Sequence, residues 1–137
     1  MTRLTGALVA SALAVSVFAA PAAAAATSML TTIRWRDGCE CIAGVFKVRP
    51  TEAHLASALG GEYKQLRWSR WGARSATGTG VSSTAHDGVE TRSNVRLRLS
   101  APRNGRFTKL TVRFSGRQPT QLRLVTDPDG ANPRWAL

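Results

Sequence analysis

The chain has 137 residues, a length that fits one domain with one core and is too short for two. It carries 19 Lys and Arg against 8 Asp and Glu, a net charge of +11. This charge favours association with polyanions, such as cell-wall polymers, anionic lipid headgroups, nucleic acid or acidic polysaccharide.

The first 26 residues predict a secretory signal peptide. Arg3 precedes an apolar stretch over residues 8–20, and Pro21 and a run of alanines follow. A charged start, an apolar segment and small residues at a cleavage site are typical of such peptides. The stretch is shorter than the roughly 18–20 apolar residues that a membrane-spanning helix needs. We therefore expect no stable membrane span and a secreted, extracellular protein.

The cleavage site has two alternatives. Ala24 and Ala26 fit the small-x-small rule and would leave Thr27 as the first residue, whereas cleavage after Ala24 fits the rule as well. We place the mature domain at residues 27–137. Because Arg3 is the only charged residue removed, its net charge falls from +11 only to +10.

The two cysteines, Cys39 and Cys41, are separated by one residue. Export favours oxidised thiols, and a bridge between them would close a small strained ring. We favour a local disulfide, with free or intermolecularly paired thiols as the alternative. A metal site is disfavoured because two cysteines are too few ligands and neither His54 nor His86 lies at ligand spacing. We therefore expect no metal and no cofactor.

Hydrophobic residues in the first half of the mature chain recur mainly with a period of two, which predicts β-strands. Strands are predicted over residues 29–35, 44–49 and 62–68. Residues 51–59 fit a short helix or a short edge strand, and we favour the strand. In the third strand, Leu66 and Trp68 are expected on one face, and Tyr63, Gln65 and Arg67 on the other.

Small residues dominate the segment that follows the Trp-rich sequence RWSRWG. Ala76, Gly78 and Gly80 alternate with Ser and Thr, and small residues in a strand often let a large neighbour lie across them. We expect Trp68 or Trp71 to pack over them. Residues 84–90, which contain His-Asp-Gly, are predicted to form a turn or loop.

The clearest alternation lies in residues 94–100, 107–115 and 121–125. Apolar residues occupy one face of each segment and basic or polar residues the other, which is typical of an antiparallel sheet half-exposed to water. Pro102 and the Asn-Gly pair predict a turn over residues 101–106.

The segment after the last strand, residues 126–137, is rich in Asp, Pro and Gly and is predicted to be an irregular C-terminal arm anchored by Trp135. Six to eight strands at this spacing predict an all-β domain, a small antiparallel β-sandwich or open barrel.

Two groups of residues are candidates for ligand binding. The first is an outward row on the last three strands, and the second is the cationic and aromatic segment before the small residues. Cations at this spacing suit phosphates or carboxylates, and an exposed Trp beside them could stack a sugar or a base. The alternatives are a solvated face that keeps the protein soluble and tryptophans that belong to the core. The row comprises Arg96, Arg98, Lys109, Arg113 and Arg123, and the segment contributes Arg67, Arg70 and Trp71.

Five short motifs follow one another over about residues 45–115. They are Phe46-Lys47-Val48-Arg49-Pro50, Trp68-x-x-Trp71-Gly72, Ala76-x-Gly78-x-Gly80, Leu99-Ser100-x-Pro102 and Phe107-Thr108-x-Leu110. Their order resembles that of small secreted actinobacterial proteins of uncharacterised function. The resemblance implies secretion and a β domain, and it brings no activity with it. That group tends to carry a cysteine pair between the third and fourth motifs, where this chain has none.

These observations favour a non-enzymatic, envelope-associated binding module that captures an anionic polymer through the basic row. No catalytic residue, phosphate-binding glycine loop or specific nucleic-acid motif is assigned. One alternative is a small secreted hydrolase that uses His86, which precedes Asp87 and follows Ser82 and Ser83. The other is an inhibitor or effector that binds a protein partner through the turn at residues 84–90 or through the C-terminal arm.

Overall fold

A computed structural model describes residues 25–35, 42–55 and 61–137. The predicted signal peptide up to residue 24, Cys39 and Cys41 lie outside the described residues. The described residues form nine strands and no helix: β1 (Met29–Trp35), β2 (Ile42–Lys47), β3 (Ala53–Leu55), β4 (Gly61–Trp71), β5 (Ala76–His86), β6 (Val89–Arg103), β7 (Arg106–Phe114), β8 (Thr120–Val125) and β9 (Arg134–Ala136). Accordingly, no helix capable of crossing a membrane occurs in this part of the chain.

The strands form two antiparallel sheets. Strands β1 and β2 pair with each other, and β3 to β9 form a seven-stranded sheet in which each strand pairs with the next in sequence. This sheet curls into an open barrel, and the β1–β2 hairpin lies across its apolar side, where β1 contacts β3, β7 and β9. The predicted all-β antiparallel fold is confirmed.

The core lies between the concave face of the curled sheet and strand β1. The predicted inward residues of β6, β7 and β8 all face the core, because directly paired residues of adjacent strands share a face. All are buried except Phe114 and Leu124, which are partly buried and pack against the core. Buried side chains from these and neighbouring strands are Met29, Leu30, Ala53, Leu55, Tyr63, Leu66, Ala76, Val95, Leu97, Leu99, Phe107, Leu110, Val112, Leu122 and Trp135.

Residues 27–30 join the two ends of the sheet. The Ser28 amide donates to the Gly105 carbonyl at 2.9 Å, and the Phe107 amide donates to the Ser28 carbonyl at 2.8 Å. Two indole N–H groups complete the attachment. Trp71 donates to the Thr27 carbonyl at 2.9 Å, and Trp135 donates to the Leu30 carbonyl at 3.1 Å. The expected anchoring by Trp135 is thereby confirmed.

Strand β4 departs from simple alternation. Tyr63 and Leu66 were expected on opposite faces of this strand, but both side chains are buried. The pairing register between β4 and β5 shifts between Lys64 and Arg67, and Gln65 adopts a left-handed backbone with φ of 53°. Such a bulge places an extra residue in one strand, so that the faces exchange on either side of it.

Two segments predicted as turns are mostly strand. Strands β5 and β6 continue through residues 84–90 and leave only Asp87 and Gly88 as the turn. Strands β6 and β7 likewise continue through residues 101–106 up to Asn104-Gly105. In both turns the two residues have positive φ, from 48° to 77°, as a two-residue hairpin with the twist of the strands requires.

The C-terminal arm is only partly irregular. Residues Arg134–Ala136 form β9 and pair with β8, which corrects the prediction for these three residues. Asp127 fixes the segment between the two strands, because it accepts hydrogen bonds from Asn132 at 2.5 Å and Arg134 at 3.1 Å. These two donors lower the pKa of Asp127, with Asn132 the larger cause.

The small residues of β5 make room for large ones of β4. Gly78 is paired with Trp68, and a Cβ atom at Gly78 would lie 2.7 Å from a Trp68 ring carbon. A Cβ at Gly80 would lie 2.6 Å from a methyl carbon of Leu66. Trp71 is paired with Ala76, which is buried. The prediction that tryptophan packs over this segment is confirmed.

The buried phenol of Tyr63 provides a test of the packing. Among the described residues its hydroxyl has no hydrogen-bond partner, and burial raises its pKa, an effect that the neighbouring Ser82 only partly opposes. A buried hydroxyl without a partner costs free energy. We therefore expect Tyr63→Phe to increase the free energy of unfolding by about 1 kcal/mol. Denaturant titration measures the change, and a loss of stability would contradict the prediction.

Candidate functional site

A group of seven basic residues lies on the outer face of the curled sheet, beside Lys64 and Arg92, which share this face but are paired with acids. Since residues directly paired across antiparallel strands point to the same side, the register between β4 and β8 places them together. We call this surface the arginine face; it consists of Arg67, Arg70, Arg96, Arg98, Lys109, Arg113 and Arg123. All seven are exposed except Lys109, which is partly buried.

Two pairs of like charges oppose each other directly on this face. Arg96 of β6 is paired with Arg113 of β7, and Lys109 of β7 is paired with Arg123 of β8. Side chains in such pairs start about 5 Å apart, and like charges in this position destabilise a sheet. Lys109 and Arg113 are four residues apart on one strand, so the two pairs are separated by about 13 Å.

The register also joins the two groups of candidate residues that the sequence left separate. Arg67 is paired with Thr79, which is paired with Arg96. Strands lie about 4.8 Å apart, so Arg67 and Arg96 start about 10 Å from each other. Arg70 is related to Arg98 in the same way, through a threonine of β5. Pairing of the small-residue strand between the two basic strands is the feature that sequence reasoning missed.

The charges of the arginine face have no ionic partners within the described residues. The four ion pairs found there involve other cations. Towards the tip of the β5–β6 hairpin, Glu62 pairs with Lys64 and Glu90 with Arg92. The pKa of Glu62 is lowered chiefly by its hydrogen bond from Lys64.

The carboxylate of Glu90 is satisfied in the same region. The pKa of Glu90 is lowered first by the Ser83 hydroxyl, which donates to it at 2.5 Å, and then by Arg92. Both Glu62 and Glu90 therefore remain charged and paired at one end of the sheet. Neither neutralises the arginine face.

Trp71 does not belong to the arginine face. Its ring packs edge-to-face on Trp68 at 4.6 Å and on Phe107 at 5.6 Å between centroids, and its indole N–H is bonded to Thr27. Its pairing with Ala76 directs it to the apolar side. The structure thus separates Trp71 from Arg67 and Arg70, and the ring belongs to the margin of the core.

An open cleft of about 910 Å³ adjoins the arginine face where β7 ends. Two residues of the arginine face, Arg96 and Arg113, belong to its lining. The amides of Gln65 and Asn94 and the half-buried ring of Phe114 line it as well. The turn after β7 contributes Arg117 and forms the far wall.

The residues of the hydrolase alternative lie at the exposed tip of the β5–β6 hairpin. His86 Nδ1 lies 2.9 Å from Asp87 Oδ2, and both side chains are almost fully exposed. Ser83 donates to Glu90 instead of His86, and Ser82 is buried. Across the described ranges, no three His, Cys, Asp or Glu side chains are grouped closely enough to hold a metal ion.

Comparisons with protein families, curated proteins and solved structures found no match to this chain.

Proposed function

We propose that this protein is a non-enzymatic binding module that, after export, captures a linear anionic polymer at the cell envelope. The observation that carries the proposal is the two pairs of directly opposed cations, Arg96–Arg113 and Lys109–Arg123. In the described part of the chain, the cations of the arginine face lack acidic partners. Each pair costs stability in the free protein. An anionic group placed between the two cations would reverse that cost.

The spacing suits a polymer better than a single small anion. The two pairs lie about 13 Å apart along β7, so one ligand must be long enough to span them. The outer residues Arg67, Arg70 and Arg98 would contribute additional, solvent-screened attraction. Several weak contacts along one chain raise the overall affinity, because each later contact forms within an already bound complex.

Binding through the arginine face should weaken as the salt concentration rises. We expect the exported protein to bind immobilised heparin and isolated bacterial envelope at low ionic strength, and the logarithm of the binding constant to fall linearly with the logarithm of the salt concentration. If both cation pairs engage the polymer, four contacts give a slope of about −3, using the single-strand coefficient for counterion release. Uncharged dextran serves as the control matrix.

Three results would contradict the proposal. One is an absence of retention at low ionic strength on both heparin and envelope. A second is a slope shallower than about −1, which corresponds to no more than about one displaced counterion. Retention on dextran equal to that on heparin would also contradict it, since a neutral matrix offers nothing for the arginines to pair with.

A further inference from the structure

The cleft beside the arginine face differs chemically from the rest of that face. Besides the cations Arg96, Arg113 and Arg117, its lining contains the amides of Gln65 and Asn94. An amide side chain offers an acceptor oxygen as well as donors, whereas arginine only donates. Phosphate and carboxylate accept hydrogen bonds and need no acceptor from the protein. The amides therefore suit a ligand that also carries hydroxyl groups.

Gln65 lies at a strained position in the cleft wall. It is the left-handed residue of the β4 bulge, with φ of 53°, a conformation that a non-glycine residue adopts at a cost. Bulges and strained residues concentrate at binding sites, where they redirect a side chain. The Gln65 and Asn94 side chains are exposed and form no hydrogen bond with any other residue in the described part of the chain. Both amides are thus free to bind a ligand.

The remaining features of the cleft agree with a ring-shaped ligand. Its volume of about 910 Å³ lies within the range of small-molecule sites. Phe114 is half-buried at the edge of the core and lends the cleft an apolar surface. A pyranose ring presents both an apolar C–H face and a rim of hydroxyls. A sugar that also carries an acid would use all three kinds of lining residue.

We propose that the cleft binds an acidic sugar unit, with Arg96, Arg113 and Arg117 on the acid, Gln65 and Asn94 on the hydroxyls, and Phe114 against the ring. This inference rests on the proposed function and narrows it, because it makes the captured polymer an acidic polysaccharide. The rest of the arginine face then binds the polysaccharide through charge, and the cleft recognises the individual sugar unit.

The experiment compares three probes by calorimetry on the full protein. Trigalacturonate carries three acids on sugar rings, its carboxyl-reduced form carries the same rings without charge, and tricarballylate carries three acids without rings. We expect trigalacturonate to bind at least about tenfold more tightly than either control, which is the effect of one or two well-placed polar contacts. Gln65→Ala should remove that preference, while Gln121→Ala, an exposed amide on β8 outside the cleft, should leave it intact.

Some outcomes would overturn the inference. If tricarballylate binds as tightly as trigalacturonate, the cleft recognises only the negative charges. If the reduced trisaccharide binds as tightly as trigalacturonate, the cleft does not recognise the acid groups. Gln65→Ala would also overturn the inference if it weakened heparin retention as much as it weakened binding of trigalacturonate. In that case the cleft and the arginine face would not bind their ligands independently. Failure of the proposed function is recognised separately, as an absence of salt-dependent retention in the unmodified protein.

Discussion

Replacing Lys109 and Arg113 together by threonine is expected to make the protein more stable and to weaken its binding to a polyanion. The double substitution removes one cation from each opposed pair, Arg96–Arg113 and Lys109–Arg123, and introduces a residue that favours strands. The free energy of unfolding should rise by about 0.5–1 kcal/mol. At 0.1 M salt the affinity for heparin should fall roughly 25-fold, because two counterion-releasing contacts are lost.

A matched control separates position from net charge. Lys47→Thr with Arg49→Asn removes the same two charges from strand β2 and the residues just after it, outside the arginine face, and asparagine tolerates the left-handed backbone of Arg49. Denaturant unfolding and heparin binding are measured for both double variants. If the control loses as much affinity as the double threonine variant, overall charge rather than the arginine face governs binding.

Adding one methyl group at Gly78 is expected to destabilise the protein by about 3 kcal/mol. The new Cβ would lie 2.7 Å from a ring carbon of Trp68 and 2.9 Å from the Arg67 carbonyl oxygen. The ring also donates its indole N–H to the Pro50 carbonyl at 2.8 Å, so the movement that would relieve the clash breaks a hydrogen bond. The melting temperature of Gly78→Ala should fall by more than 10 °C, by the usual scaling for a domain of this size.

Gly72→Ala provides the comparison for this packing prediction. There the nearest atom to a new Cβ is the Ser75 carbonyl oxygen at 3.5 Å, an ordinary contact, and the backbone is not left-handed. The melting temperatures of the two alanine variants should therefore differ widely, although each adds the same group. Equal melting temperatures would show that Trp68 does not lie over Gly78 as described.

The sequence predicts the fold best where one face of a strand is buried. Val95, Leu97 and Leu99 alternate with Arg96 and Arg98, and the structure places the two sets on opposite sides of one sheet. The tip of the β5–β6 hairpin shows why some strand residues were predicted as turn or loop. Residues 84–93 are exposed throughout, so their strands carry no alternation between buried and exposed positions.

The candidate site was only partly readable for a different reason. The sequence predicts that Arg96, Arg113 and Arg123 share one face of the sheet, because apolar and basic residues alternate with the same period of two in all three strands. The contribution of Gln65 depends on its left-handed backbone conformation inside a strand, and no local pattern of residue types predicts that conformation. That same bulge explains why Tyr63 and Leu66, which were expected on opposite faces, are both buried.

The order in which the chain is made has a consequence for how the barrel closes. Strand β1 is synthesised before the surface that it docks against. Ser28 bonds to Gly105, and the Leu30 carbonyl accepts its hydrogen bond from Trp135, which lies 105 residues later in the chain. The meander from β3 to β9 forms from neighbours in sequence and can assemble as it emerges. The contacts of β1 with β7 and β9 are completed last, so apolar residues of β1 and of the concave face of the sheet stay partly exposed until then and are vulnerable to aggregation. Nascent intermediates of this protein therefore have the greatest need of a chaperone just before synthesis ends.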